Sequence, residues 1–170
     1  ENTGTATTPN FALQTGNLSS INVGRDSAPA LVDIDNDGDL DLFVGEEEGN
    51  INFFRNDGTP IGYKFVLETA TYDSIAVGFG SMPAFADIDN DGDQDLFVGE
   101  KDGNVNFYRN RGSAATPDFV LETENLGGIN VGRDSAPNLV DIDNDGDFDL
   151  FAGEDGGDIN FYQNTSVPPD

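Results

Sequence analysis

The stretch Asp-Ile-Asp-Asn-Asp-Gly-Asp occurs three times, starting at Asp33, Asp87 and Asp141, and each copy is followed after one residue by a further Asp. Five carboxylates therefore crowd into each loop: Asp33, Asp35, Asp37, Asp39 and Asp41; Asp87, Asp89, Asp91, Asp93 and Asp95; Asp141, Asp143, Asp145, Asp147 and Asp149. At an effective dielectric near 20, each close pair repels by roughly 3 kcal/mol. A cation would relieve that repulsion. Alternate residues of a tight loop can turn their carboxylates inward, which suits calcium, a hard ion taking about six to eight oxygen ligands. In the first loop the expected ligands are the side chains of Asp33, Asp35, Asp37 and Asp41 and the backbone carbonyl of Asp39, with Gly38 making the turn. One ion per loop gives about three calcium ions per chain. The plain alternative is a metal-free polar turn, against which the threefold repetition weighs.

The loop begins like an EF-hand, but the position that should carry a bidentate Glu holds Val44, Val98 and Ala152. No helical pattern flanks it. The motif is therefore not an EF-hand.

The rest of the composition narrows the function. The chain of 170 residues has 33 acidic and 7 basic side chains, no His and no Cys, for a net charge of −26. Such a surface repels nucleic acid and anionic membranes. Without Cys or His there is no disulfide framework, no zinc-thiolate site, no Ser-His-Asp triad and no cysteine nucleophile. With 36% hydrophobic residues and 13 Phe the chain is expected to fold rather than remain an acidic disordered tail. No apolar run approaches the roughly 18 residues of a membrane helix. The absence of an initiator Met and of a leader pattern is expected for a mature form or an excised fragment.

The loops recur at intervals of 54 residues, and the phase holds along the whole unit: Phe11, Phe65 and Phe119, Gly45, Gly99 and Gly153, and Asn56, Asn110 and Asn164 all fall in register. Three units without an insertion indicate stacked copies of one supersecondary element. Short apolar runs separated by Gly, Asn, Asp and Pro, with no sustained 3.6-residue period, make it all-β. Strands are expected near Ala30–Asp33, Leu40–Glu46 and Asn50–Arg55, with a fourth near Lys64–Glu68 that recurs at Asp118–Glu122 and, more weakly, at Phe11–Gln14. In the second strand Leu40, Leu42 and Val44 face one side and Phe43 the other, as in a sheet sandwiched between neighbours. Four-stranded sheets stacked face to face are β-propeller blades. A β-solenoid is the second choice.

The expected organisation is a single repeat domain over 1–170: an N-terminal fourth strand within 1–24, then blades at about 25–70, 79–124 and 133–166. The last blade lacks a fourth strand and the chain opens with a spare one. Since closed rings usually need four to eight blades, two chains are expected to combine head to tail into a six-bladed homodimer, each giving its Phe11 strand to the other. The rival is a piece of a larger propeller.

The loop, the Leu-Asp-Leu-Phe-Val-Gly-Glu strand after it and Val-Gly-Arg-Asp-Ser-Ala-Pro ahead of it resemble the FG-GAP/VCBS repeat family. Similar calcium loops occur in the propeller of integrin α subunits, and large bacterial surface proteins and propeller lectins look closer still. The resemblance implies one blade per repeat, calcium in the loop, and adhesion or ligand binding at the cell surface or in secreted proteins.

If calcium clamps the turn between the first two strands, the opposite face of the blades is left for a ligand. It gathers Arg25 and Asp26, Arg133 and Asp134, the recurring Glu46, Glu100 and Glu154, and Phe79 in the middle unit, a polar set that could take sugar hydroxyls. The alternative is that Ser27, Ser81 and Ser135 cap turns there while Arg25 pairs with a nearby Glu. The leading expectation is a calcium-stabilised extracellular binding or adhesion module, not an enzyme, with a glycan or cell-surface molecule as partner. A purely structural, self-assembling repeat of a surface protein is the alternative. A fragment of a polysaccharide-active enzyme comes third.

Overall fold

A computed structural model describes residues 7–8, 11–59 and 62–165. Each 54-residue unit folds as one antiparallel sheet, and single 3₁₀ turns are the only helical segments among the described residues. The first sheet runs in order through β1 (Ala28–Val32), β2 (Asp41–Gly45), β3 (Ile51–Asn56) and β4 (Phe65–Thr69). The second repeats it with β5 (Met82–Ala86), β6 (Asp95–Gly99), β7 (Val105–Asn110) and β8 (Phe119–Thr123). The third holds β9 (Ala136–Val140), β10 (Asp149–Gly153) and β11 (Ile159–Tyr162), with β11 at its edge. The fold is all-β with propeller-like blades.

The second strand of each sheet explains the stacking. Along β2, Leu42 and Val44 join Phe54 on one face while Phe43 joins Phe53 and Ile51 on the other. Apolar side chains on both faces require cover on both. Phe43 lies directly opposite Phe53 on the adjoining strand, their rings stacked at 4.6 Å. This layer meets Phe85, Leu96 and Val98 of the second sheet, and Tyr72 from the linker wedges edge-on against Phe43 and Phe53. Phe97, Val105 and Phe107 then pack in the same way on Leu139 and Phe148 of the third unit.

The linkers carry the 3₁₀ turns at Leu18–Ser20, Tyr72–Ser74 and Leu126–Gly128. Ile75 and Ile129 follow the second and third turns and seal the joints between sheets.

Two local expectations are revised. Leu40 lies outside β2 and is 51% exposed, because Asp41 turns inward to begin the strand. The strand expected over Phe11–Gln14 does not form: Phe11 makes one isolated bridge, 12–15 are irregular, and Phe11 and Leu13 are 81% and 86% exposed. A single bridge does not make a ladder, and a strand needs a run of such pairs beside it. Residues 1–6, 9–10, 60–61 and 166–170, which the expected boundaries include, lie outside the described residues.

Candidate metal centres and the opposite face

Each Asp loop spans the gap between the first two strands of its sheet. The backbone reverses through left-handed residues at Asn36 and Gly38 (φ 58° and 98°), repeated at Asn90 and Gly92 and at Asn144 and Gly146. Asn tolerates that conformation better than most residues with a Cβ, and Gly adopts it freely. The first Asp organises the turn: Asp33 accepts the N–H groups of Asp37 (3.1 Å) and Gly38 (3.0 Å) on its two oxygens. Asp37 accepts the N–H of Asp39 at 3.1 Å. Asp87 and Asp91 repeat all three bonds, while in the third loop Asp141 accepts from Gly146 and Asp145 from Asp147.

This folding draws three carboxylates together in every loop: Asp33, Asp35 and Asp37; Asp87, Asp89 and Asp91; Asp141, Asp143 and Asp145. Within each triad, one oxygen from each residue lies within 4.8 Å of the others. The other expected ligands sit differently. Asp41 is 2% exposed, and its Oδ1 accepts the N–H of Asn56 at 2.7 Å, tying the loop to the third strand. Asp95 and Asp149 make the same bond to Asn110 and Asn164. Their Oδ2 atoms reach back to Ile88 and Ile142 N–H in the loops, at 3.4 and 3.3 Å. Asp39, Asp93 and Asp147 lie at the loop exits, the last two buried.

The fit to a hard cation rests on oxygens that the fold buries and leaves without a hydrogen bond: Asp35 Oδ1, Asp39 Oδ1, Asp41 Oδ2, Asp93 Oδ1 and Asp141 Oδ1. Buried carboxylate oxygens without partners are costly unless something positive meets them. The electrostatics agree. Burial, above all, pushes the Asp41 and Asp95 carboxyls up to about 6, against the pull of the Asn56 and Asn110 N–H bonds and with the Asp35 and Asp89 charges adding to the rise. Asp39 and Asp93 are raised too, by burial and then by the other loop carboxylates.

One partner escapes sequence reasoning. Arg55 on β3 donates to Asp35 Oδ2, and Arg109 on β7 donates to Asp89 Oδ2. The third unit has Gln163 at that position, bonded to Asp143 at 2.7 Å. The residues of each pair are 20 apart in sequence, so only the strand register joins them. Their shared phase in the repeat was the available signal.

On the opposite face the structure separates the expected ligand residues into two groups. The recurring glutamates close the turn after the second strand. Glu46 Oε2 accepts the N–H of Glu48, and Oε1 accepts the backbone N–H and side-chain amide of Asn50, at 2.7–2.9 Å. Glu100 does the same for Asp102 and Asn104, and Glu154 for Gly156 and Asp158, whose bonds hold the Glu154 carboxyl below its ordinary range. Glu46 and Glu100 are 6% and 5% exposed. These three residues are turn braces.

Arg25 reaches into solvent and pairs with Glu47 at 3.8 Å, while Asp26 and Asp134 take left-handed backbone at φ 55° and 52°. Arg133 lies on the exposed surface, its carbonyl accepting the N–H of Asp155. Phe79 is 59% exposed with the Lys101 ammonium 5.8 Å from its ring centre. The two line a cleft with Asn104 and Asn106. Ser81 and Ser135 stitch neighbouring blades: Ser81 Oγ accepts the N–H of Glu46 and donates to the carbonyl of Asn50, and Ser135 repeats this with Glu100 and Asn104.

The FG-GAP-like repeat family matches this chain over residues 33–98 and again over 87–152. Each match starts at the first Asp of one loop and runs through the second strand of the next sheet. Together they cover more than two thirds of the chain. No curated protein and no solved structure matches it.

Proposed function

From a chain that belongs to the FG-GAP-like repeat family, we propose an extracellular binding or adhesion module in which calcium clamps each Asp loop. Such repeats are consistent with an extracellular setting, and among the described residues no helix is long and apolar enough to cross a membrane. The observation that carries the proposal is the same carboxylate triad in all three loops, with buried oxygens left unpartnered beside it. Every donor is a hard oxygen, which favours calcium over the softer transition metals.

Asp33, Asp35 and Asp37 and their counterparts would hold the ion, with the remaining oxygens of Asp39 and Asp41 as further donors. The ion supplies positive charge that removes the loop's self-repulsion. Asp41, through Asn56, then ties the loop to β3, so that a neutralised loop steadies the sheet. At extracellular-type affinities and tenfold calcium excess each site adds about 1.4 kcal/mol, or roughly 4 kcal/mol for three. Cytosolic calcium would leave such sites empty.

The cleft at Phe79 and Lys101, with the cationic side chains of Arg25 and Arg133 elsewhere on the same face, supports a polar ligand such as a glycan. The carboxylates are organised as ion ligands and turn braces, which supports a non-enzymatic role. Calcium removal should lower the melting temperature markedly, and an unchanged melting temperature would remove calcium from the account. A glycan array with and without calcium distinguishes a binding module from a purely structural repeat. Turnover of uronic-acid polysaccharides would instead indicate an enzyme.

A further inference from the structure

The third sheet presents to solvent a face that its two counterparts bury. Ile159 and Phe161 are 75% and 48% exposed, whereas Ile51 and Phe53 are 0% and 5%, and Val105 and Phe107 are 0% and 7%. At the other end of the stack Leu31 is 57% exposed, while its counterpart Phe85 packs between the first two sheets. We infer that a second copy of this chain docks head to tail on the third sheet, repeating the joint that the chain already makes twice. Its residues 11–15 would add beside β11 as a fourth strand, which the third sheet lacks among the described residues.

Glycine usage argues for a second copy. A Cβ at Gly45 would lie 2.0 Å from the Ser81 carbonyl oxygen, and one at Gly99 would lie 1.9 Å from that of Ser135, so glycine is required where the next blade crosses. Gly153 holds the same place in the third sheet, yet a Cβ there meets nothing closer than the Ala136 Cβ at 4.0 Å. Ser27, in phase with Ser81 and Ser135, is the residue that would cross it from a second copy. Its hydroxyl would meet the Glu154 N–H and the Asp158 carbonyl, as Ser81 meets Glu46 and Asn50.

A paired substitution points to the same occupant. Arg55 faces Glu68 across β3 and β4 at 3.6 Å, and Arg109 faces Glu122 across β7 and β8 at 4.0 Å. In phase with them stand Gln163, just past the end of β11, and Gln14 in the N-terminal segment Phe-Ala-Leu-Gln-Thr, which parallels Phe-Val-Leu-Glu-Thr of β4 and β8. Both members of the ion pair have become amides. A Glu opposite Gln would leave a charge without its partner, whereas two amides donate and accept mutually. The exchange makes sense if Gln14 of one copy sits across from Gln163 of another. If the docking is reciprocal, two copies close a ring of six sheets that leaves only short edges.

The test is the mass of the full chain in calcium, by sedimentation over a wide concentration range. The expected particle is about twice 18.1 kDa. Gly153→Ala should yield a monomer with unchanged circular dichroism, since the added methyl meets only the Ala136 Cβ, at ordinary contact distance. Gln14→Glu should weaken association, and adding Gln163→Arg should restore it. Larger oligomers that also dissolve with Gly153→Ala would support the same interface without closure at two copies. A wild-type monomer overturns the proposal, as expected if the face awaits a further blade of a longer chain. So does an assembly indifferent to Gly153→Ala.

Discussion

Arg55 and Arg109 each place a guanidinium on a loop carboxylate where the third unit has Gln163. The three loops should therefore bind calcium unequally, with the third tightest. An ion sharing that carboxylate would lie on the order of 6 Å from the guanidinium, and at bulk-water dielectric a single and a double positive charge repel there by about 1.4 kcal/mol. Salt and the flanking Glu68 or Glu122 carboxylate (3.6 and 4.0 Å from the arginine) reduce this. About 1 kcal/mol remains, or roughly fivefold in affinity. Gln163→Arg should weaken the third site by that factor, and Arg109→Gln should tighten the second. Calorimetric calcium titration at low ionic strength resolves the change, which should shrink with added salt. Melting in saturating calcium checks that the variants remain folded. If Gln163→Arg left all binding constants unchanged, or tightened one, the electrostatic reasoning would be refuted.

The raised carboxyls of Asp41 and Asp95 set a pH dependence for the calcium-free protein. With folded values near 6 against the ordinary 3.8, the folded state holds these protons more tightly than the unfolded chain. Their stabilising contribution is full below 3.8 and is lost as pH rises through about 6, on the order of 3 kcal/mol per site. Resin-treated protein should therefore melt lower at pH 7.5 than at pH 5, and the gain from added calcium should widen over the same range. Asp41→Asn with Asp95→Asn should flatten the calcium-free slope; an unaltered slope would place its origin elsewhere. Gly99→Ala should cost about 3 kcal/mol or more, since the new methyl strikes the backbone of the next blade and disturbs the buried Ser135–Glu100 bond. Urea unfolding at low protein concentration measures it, and a loss below about 0.5 kcal/mol, within the range of ordinary surface changes, would contradict the packing described.

The features that could be read from the sequence were those written locally. The Asp loops, their phase and the two-sided apolar second strand lie in short contiguous runs, so their chemistry and their strand character follow from spacing alone. The recurring glutamates were legible as a pattern but not as a function: Glu46 looks like a free ligand until its carboxylate is seen folded onto the Glu48 and Asn50 N–H groups of its own turn. Arg55 on Asp35, and Asp41 braced by Asn56, depend on which residues the antiparallel register sets side by side. The Phe11 segment illustrates a different limit. Its residues have the pattern of a fourth strand, but a strand needs a ladder, and among the described residues Phe11 makes only an isolated bridge.

The most direct test of the calcium clamp is to count the ions. Equilibrium dialysis against millimolar calcium, followed by elemental analysis, should find three calcium ions per chain. Asp35→Asn combined with Asp37→Asn should reduce the number to two while the second and third sheets keep their circular dichroism. A chain that binds no calcium, or that retains three ions after those substitutions, would contradict the assignment of the Asp loops as its metal sites.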